Sequence, residues 1–251
     1  DPTEPSASET VADTTEPDAS EPGATDAAEP TAETAAPAEN SKAPAAVTDE
    51  TPPALNDFGQ YLDTTVQARA AALVELNSDT LVYGMNLDEK VYPASLTKIM
   101  TLLLAVEAVE RGDVQLDDTV TAYADCNADM VEGASNADIK VGETMTFEDF
   151  LYCAMISSAN EACNVVAEYV CGSISAFVQR MNARAQELGC TGTHFCNPCG
   201  LHEDDHYTTA HDLYRIAKQA MKDATFRDIV STVQHRMAKT NLHEERIILT
   251  T

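Results

Sequence analysis

The sequence predicts a mixed α/β (α+β) fold: an antiparallel sheet framed by helices, with a mainly helical subdomain from about residue 113 to 230. Two β-like runs between residues 69 and 86 are separated by a short turn signal. Helix-period apolar stripes then dominate residues 95–220. Composition changes abruptly before the first strand, which sets a folded unit apart from what precedes it.

That preceding tract, residues 1–55, holds 9 of the 11 prolines, 13 acidic residues, one base (Lys42) and no aromatic residue. Such a composition cannot bury enough apolar surface to offset chain entropy. It reads as a disordered, charge-extended linker, either a tether or an inert acidic tail. Residues 56–251 remain for the folded domain. The whole chain has 251 residues, a formal net charge of −27 and a pI near 4.3. That balance argues against binding phosphate backbones, so no nucleic-acid partner is expected, nor an anionic membrane surface held by net charge. No run of about 18 apolar residues occurs, so no helix is expected to cross a membrane. The chain starts at Asp1 with no visible signal peptide, as a mature or trimmed chain would.

The elements follow in order. RAAALVEL (69–76) and LVYGMN (81–86) read as two strands joined through NSDT. YPASLTKIMTLLLAVEAVER carries a helix from about Ser95 to Arg111, stopped by Gly112. DTVTA (118–122) and IKVGE (139–143) read as short strand or loop pieces. Thr146 and Asp149 form a capping box ahead of the stripe Phe147, Phe150, Leu151, Ala154 and Met155. That helix breaks around Ser157–Asn160, and a second runs to about Tyr169 or Val170. Phe177, Val178, Met181, Ala185 and Leu188 mark a further helix ended by Gly189. Thr209 and Asp212 cap another, with Leu213, Ile216, Ala217 and Ala220 facing inward. After residue 120 only RIILTT (246–251) looks clearly β-like.

Seven cysteines are too few for a disulfide scaffold. Cys153 and Cys163 sit in apolar helical patterns and read as small core residues. Cys190, Cys196 and Cys199 cluster with His194 in GCTGTHFCNPCG, where free thiols, one disulfide or a zinc site are the options; free thiols are preferred because the spacing fits no standard zinc module. His202, His206 and His211, in the loop and helix start after Gly200, read as capping and surface residues in preference to residues bordering a cleft. Glu203, Asp204 and Asp205 read as a solvated acidic loop.

One residue type is out of place in the first long helix. Lys98 lies one turn inside it, and Ser95 lies three residues earlier on the same face. At a helix start, free N–H groups and the macrodipole favour negative charge developing on the Ser95 oxygen. A lysine walled by Leu96, Ile99 and Met100 is partly withdrawn from water and can take the serine proton. Ser95 is therefore a candidate nucleophile and Lys98 its base; a lysine snorkelling from a surface helix is the plain alternative. Ser158-Ala159-Asn160 sits at the junction of two helices, where a hydroxyl can relay a proton and an amide can hold both a lysine and a substrate carbonyl. For Ser158 the plain alternative is an ordinary helix N-cap.

S-x-x-K followed about 60 residues later by S-x-N resembles the penicillin-binding protein and serine β-lactamase superfamily. The segments YPASLTKIMTLLLA, GETMTFEDFLYCAMISSANEACNVVAEYV, FVQRMNARAQELGCTGTHFCNPCGLH and HYTTAHDLYRIA are most similar to D-alanyl-D-alanine carboxypeptidases of peptidase family S11. The resemblance implies a penicillin-recognising, β-lactamase-like fold. It also implies an acyl-enzyme on Ser95, with Lys98 as proton acceptor, Ser158 in the proton relay and Asn160 in substrate contact. The implied substrate is a peptidoglycan stem peptide ending in D-Ala-D-Ala, with β-lactams acylating the same serine. No metal or organic cofactor is implied. The expected location is extracytoplasmic, with membrane or wall attachment through segments outside this sequence. Two departures stand out. Ala159 replaces the usual glycine of the second motif. The third motif, K-T-G, is missing, since Lys239-Thr240-Asn241 comes too early and lacks the glycine. The expectation is a chain that stops short of the third-motif strand and is by itself a poor enzyme. A serine β-lactamase and a non-catalytic wall-binding relic are the competing readings. Against the first, the E-x-x-x-N element that class A enzymes carry between the second and third motifs is not found after Asn160.

If residues 1–55 are only a linker, deleting residues 1–54 leaves turnover of the full-length protein unchanged. In solution the tract gives sharp, poorly dispersed amide NMR signals. A large fall in turnover on deletion would place the tract in the working domain.

Overall fold

The computed structural model describes residues 66–127 and 130–250, so the acidic tract 1–55 lies outside the described residues. The hairpin comes first, β1 (Ala71–Glu75) and β2 (Thr80–Met85), antiparallel with a register shift between Leu73 and Val74. Its turn is closed by the Glu75 carboxylate, which accepts from the backbone N–H groups of Asn77 (3.1 Å) and Ser78 (2.7 Å). A single 3₁₀ turn, Ala94–Thr97, leads into α1 (Lys98–Arg111). Met100, Leu102, Leu103, Leu104, Ala105, Val106 and Ala108 are all buried, so the helix is apolar nearly all round and forms the centre of the domain. Gly112, at φ 76°, supplies the left-handed residue that ends it.

Around α1 pack α2 (Phe147–Ile156), α3 (Asn160–Cys171), α4 (Ile174–Glu187), α5 (Ala210–Ala220) and α6 (Ala224–Val230). Between α1 and α2 lies a second hairpin, β3 (Thr119–Thr121) with β4 (Thr144–Thr146). The third, β5 (Gln234–Met237) with β6 (Arg246–Leu249), closes the described chain. The strands thus occupy three two-stranded antiparallel sheets among the described residues.

Several elements depart from the sequence reading. Of the two readings for IKVGE, the loop is the one found, and the pairing starts one residue later, at Thr144. β5 is the strand the pattern hid. QHRM has little β-branched or apolar character, and the pairing with β6 holds it, aided by His235 stacked on Tyr152 at 3.8 Å. The seven-residue α6 was also hidden, being too short for a periodic signal. At α2, Thr146 accepts from the Asp149 N–H as expected. The Asp149 carboxylate does not reach back to the backbone, however. It takes the Thr146 hydroxyl (2.8 Å) and the His235 ring (2.7 Å), tying β5 to α2.

Cys153 and Cys163 are fully buried core residues. The three thiols of GCTGTHFCNPCG have separate neighbours: Cys190 with Asp212 O, Cys196 with His194 Nδ1, and Cys199 with Asn197 Oδ1. No grouping of His, Cys, Asp and Glu among the described residues could hold a metal ion.

The loop between β5 and β6 contains Lys239-Thr240-Asn241, and Thr240 and Asn241 find partners on the β3–β4 hairpin. Asn241 pairs with Gly142 O and Thr144 N, while Lys239 pairs with Glu244. At the centre of this clasp is Glu143, whose side chain is fully buried. It accepts from Lys140 N–H (3.1 Å), Thr240 Oγ1 (2.9 Å), His243 Nδ1 (2.9 Å) and the Arg246 guanidinium (3.2 Å). Burial pushes this carboxyl up, but those bonds and the Arg246 charge more than offset it and hold the group below its usual 4.5. A depressed carboxyl stabilises the fold above its ordinary pKa and ceases to do so as pH falls through its folded value. Glu143→Gln is therefore expected to cost about 3–5 kcal/mol of unfolding free energy at pH 7, the scale for breaking a buried ion pair. The gap from wild type should narrow as pH drops below about 4.5. Urea unfolding of both proteins across that range checks it, and a gap independent of pH would show that the carboxylate charge is not what holds the clasp.

Candidate active site

All four sequence-derived candidates converge on one point. Ser95 sits in the 3₁₀ turn and is exposed, while Lys98 opens α1 and is 1% exposed. Lys98 Nζ lies 3.1 Å from Ser95 Oγ, 2.8 Å from Asn160 Oδ1 and 2.7 Å from the Cys199 carbonyl oxygen. Ser158 Oγ donates to Ser95 Oγ at 2.9 Å. Ser95 Oγ is thus within reach of two proton-carrying groups.

The identities of the lysine's neighbours matter. The amide oxygen of Asn160 and the carbonyl of Cys199 can only accept, whereas the serine hydroxyl can accept or donate. As an ammonium, Lys98 satisfies all three with its three N–H groups. As an amine, it spends two N–H groups on the fixed acceptors, and its lone pair is left for the Ser95 hydroxyl. Either state leaves the buried side chain satisfied, as a group shuttling a proton to and from Ser95 requires.

The wall that buries Lys98 is not the one its local sequence suggests. Leu96 is 52% exposed and is a poor shield. The lysine is enclosed instead by Asn160 at the start of α3 and by the loop after α4. The second of these was invisible in the sequence: the Cys199 carbonyl is a main-chain group, and no side-chain motif announces it.

The backbone is bent to make this possible. Ser158 has φ 53° and Ala94 has φ 47°, both in the left-handed region that non-glycine residues avoid. Such residues cost on the order of 1–3 kcal/mol each and persist where surroundings impose them. At Ser158 the reversal separates α2 from α3 and turns the hydroxyl toward Ser95. Ser158 is not the N-cap of α3; Ala159 holds that position without a side-chain bond. The exchange of glycine for alanine is accommodated, since Ala159 is extended (φ −67°) and fully buried. The Asn160 N–H donates to Ser135 O at 3.0 Å, and Glu161 Oε1 accepts from Ala137 N–H at 2.7 Å. The segment before β4 is thereby strapped to the start of α3. At Gly200 (φ +90°) a Cβ would sit 1.9 Å from the Ala94 oxygen, so only glycine lets this loop lie against the residue before Ser95.

The histidines separate into different roles. His202 is exposed and meets Tyr92 edge-on at 4.6 Å. His211 pairs with Asp88 at the surface. His206, expected at a cap or on the surface, is 2% exposed instead. The acidic run 203–205 is exposed, although the Glu203 carboxylate takes a bond from Asn197 Nδ2 at 3.0 Å.

A family model described as D-alanyl-D-alanine carboxypeptidase, Peptidase S11, matches residues 57–249. The D-alanyl-D-alanine carboxypeptidase DacF of Bacillus subtilis is 39% identical over 156 residues, 62% of this chain and 39% of that protein. The chain therefore spans about two fifths of that relative's length. Among solved structures, a Streptomyces DD-transpeptidase superposes with a TM-score of 0.67 at 29% identity, covering 74% of this chain and 73% of that one. A D-alanyl-D-alanine carboxypeptidase of Mycobacterium tuberculosis gives 0.68 at 26% identity, with 77% and 70% covered. With its fold shared by these two proteins and its sequence matched from residue 57 to 249, the chain belongs to the D-alanyl-D-alanine carboxypeptidase family, peptidase S11.

Proposed function

We propose that this protein is a serine-type D-Ala-D-Ala carboxypeptidase that works outside the cytoplasmic membrane on peptidoglycan stem peptides. The observation that carries the reading is Lys98 Nζ beside Ser95 Oγ, with its other two neighbours both obligate acceptors. Ser95 Oγ attacks the carbonyl between the two D-alanines as its proton passes to Lys98. The Ser158 hydroxyl, 2.9 Å from Ser95 Oγ, is placed to hand a proton to the departing D-Ala amine, and the proton held by Lys98 replaces it, so Ser158 is a hydroxyl and Lys98 an amine again once the C–N bond has broken. That leaves a peptidyl ester on Ser95. Water then attacks the ester, Lys98 takes a proton from it, and Ser95 regains its hydrogen. The net change is one amide hydrolysed to a shortened stem peptide and free D-Ala. Asn160 holds Lys98 with its amide oxygen and has its Nδ2 group to offer a substrate carbonyl. A β-lactam carbonyl would be attacked by the same serine. No step calls for a metal or organic cofactor.

Ser95→Ala abolishes covalent labelling of the full-length protein by a fluorescent penicillin, read by intact mass and peptide mapping. Label that persists on that variant would remove Ser95 as nucleophile. Lys98→Arg slows acylation nearly as much as Lys98→Ala, on the order of 10²–10⁴-fold, because a guanidinium keeps the charge but does not give up its proton. Near-normal acylation of the arginine variant would reduce Lys98 to a fixed charge. Rapid hydrolysis of the penicilloyl ester would favour a β-lactamase. Absence of D-Ala release by the full-length protein would favour a wall-binding relic.

A further inference from the structure

We propose that His206 is a positioning residue for Lys98: its imidazole is the strut that fixes how far the lysine's backbone stands from the carbonyl holding the lysine's tip. The proposal rests on the reading of Lys98 as the proton acceptor, and it comes from a closed circuit of bonds. His206 Nε2 lies 2.8 Å from Thr97 Oγ1, one residue before Lys98. His206 Nδ1 accepts the Cys196 N–H at 3.2 Å. From Cys196 the chain enters a tight turn gathered by Asn197, whose Oδ1 accepts from the N–H groups of Cys199 (3.3 Å), Gly200 (2.7 Å) and Leu201 (3.1 Å). The turn presents the Cys199 carbonyl to Lys98 Nζ at 2.7 Å, which closes the circuit. Thr97, Lys98, Asn197, Cys199 and His206 are all buried.

Each imidazole nitrogen has one task. Nδ1 faces an N–H and must be the acceptor, so Nε2 carries the hydrogen and donates to Thr97. Burial keeps the ring neutral, with its pKa pushed down to about 4, so both bonds are intact at neutral pH. Phe195 packs edge-on against the ring at 5.7 Å and limits its tilt. The Thr101 hydroxyl bonds Pro198 O at 2.6 Å, one turn further along α1, and fixes the middle of the same loop. With α1 anchored there, the ring is the direct tie between the loop's start and the turn that bears Ser95. If the strut is removed, the Cys199 carbonyl can recede and Lys98 Nζ loses one of its two fixed acceptors. The amine is then free to swing off the Ser95 hydroxyl.

The test measures acylation by a fluorescent penicillin in stopped flow on the full-length protein, beside thermal unfolding. His206→Ala and Thr97→Val should each slow the acylation step by up to about 10²-fold, the scale for a small misplacement of a reacting group, with little change in the concentration giving half-maximal rate. His206→Gln, whose amide nitrogen can donate to Thr97 and whose amide oxygen can accept the Cys196 N–H, should restore most of the rate. The double variant His206→Ala/Thr97→Val should be no slower than the worse single one, because both cut the same strut. Folded His206→Ala or Thr97→Val protein that acylates at the wild-type rate would overturn the proposal, and so would multiplicative losses in the double variant. If His206→Ala fails to fold, Thr97→Val and His206→Gln decide. If wild type is not acylated at all, the functional reading fails, yet the strut is still read from the ¹³Cε resonance of Lys98. A shift in Thr97→Val that is absent in His206→Gln supports the strut, and no shift in either overturns it.

Discussion

The domain is organised around keeping one lysine amine dry and fully bonded. A charged or strongly polar group removed from water is tolerated only when each of its bonds is replaced. Lys98 stands at the start of a helix buried on nearly every side, so water cannot do this. Three segments far apart in sequence supply the bonds: the 3₁₀ turn through Ser95, the start of α3 through Asn160, and the loop after α4 through Cys199 O. The α1 core, the α2–α3 break and the course of the 193–208 loop can be understood as conditions for bringing those three oxygens within reach of one nitrogen.

The requirement accounts for the two left-handed non-glycine residues, among those described, that are neither Asn nor Asp. Ala94 and Ser158, both left-handed without being glycine, flank Ser95 from its own turn and from the α2–α3 junction. Gly200 lies against Ala94 so closely that no side chain fits between them. Strain gathered at a site of this kind is held by the surrounding packing. Here that packing is supplied by α1, with its buried leucines, and by the fully buried Ala159 before α3 and Cys163 on it.

A second buried charge serves a different purpose. Glu143 collects donors from His243, Arg246, Thr240 and the Lys140 N–H, and so fastens the β5–β6 hairpin to β3–β4. The segment before Glu143 is in turn bonded to Asn160 and Glu161. The clasp and the cluster around Lys98 are therefore linked through residues 135–143. The Lys-Thr-Asn triplet that superficially resembles a third catalytic motif contributes its threonine and asparagine to this clasp.

The sequence by itself determined the hairpin, the long helices and their ends, because hydrophobic period, capping residues and helix-ending glycines are local properties carried by adjacent side chains. It also singled out Ser95, Lys98, Ser158 and Asn160, since the S-x-x-K and S-x-N spacings are set by one helical turn and one helix break. Tertiary structure alone decided what has no local signature. β5 is too polar to announce itself, and it is a strand because β6 pairs with it. The Cys199 carbonyl is a backbone atom, and every residue has one; only the turn gathered by Asn197 gives it a direction. His206 lies in a polar run, HEDDH, that reads as surface. It is buried because both ring nitrogens find partners on chain segments brought together by folding, about 110 residues away at Thr97 and ten away at Cys196. Burial of a polar side chain depends on partners, and partners distant in sequence are supplied only by the fold.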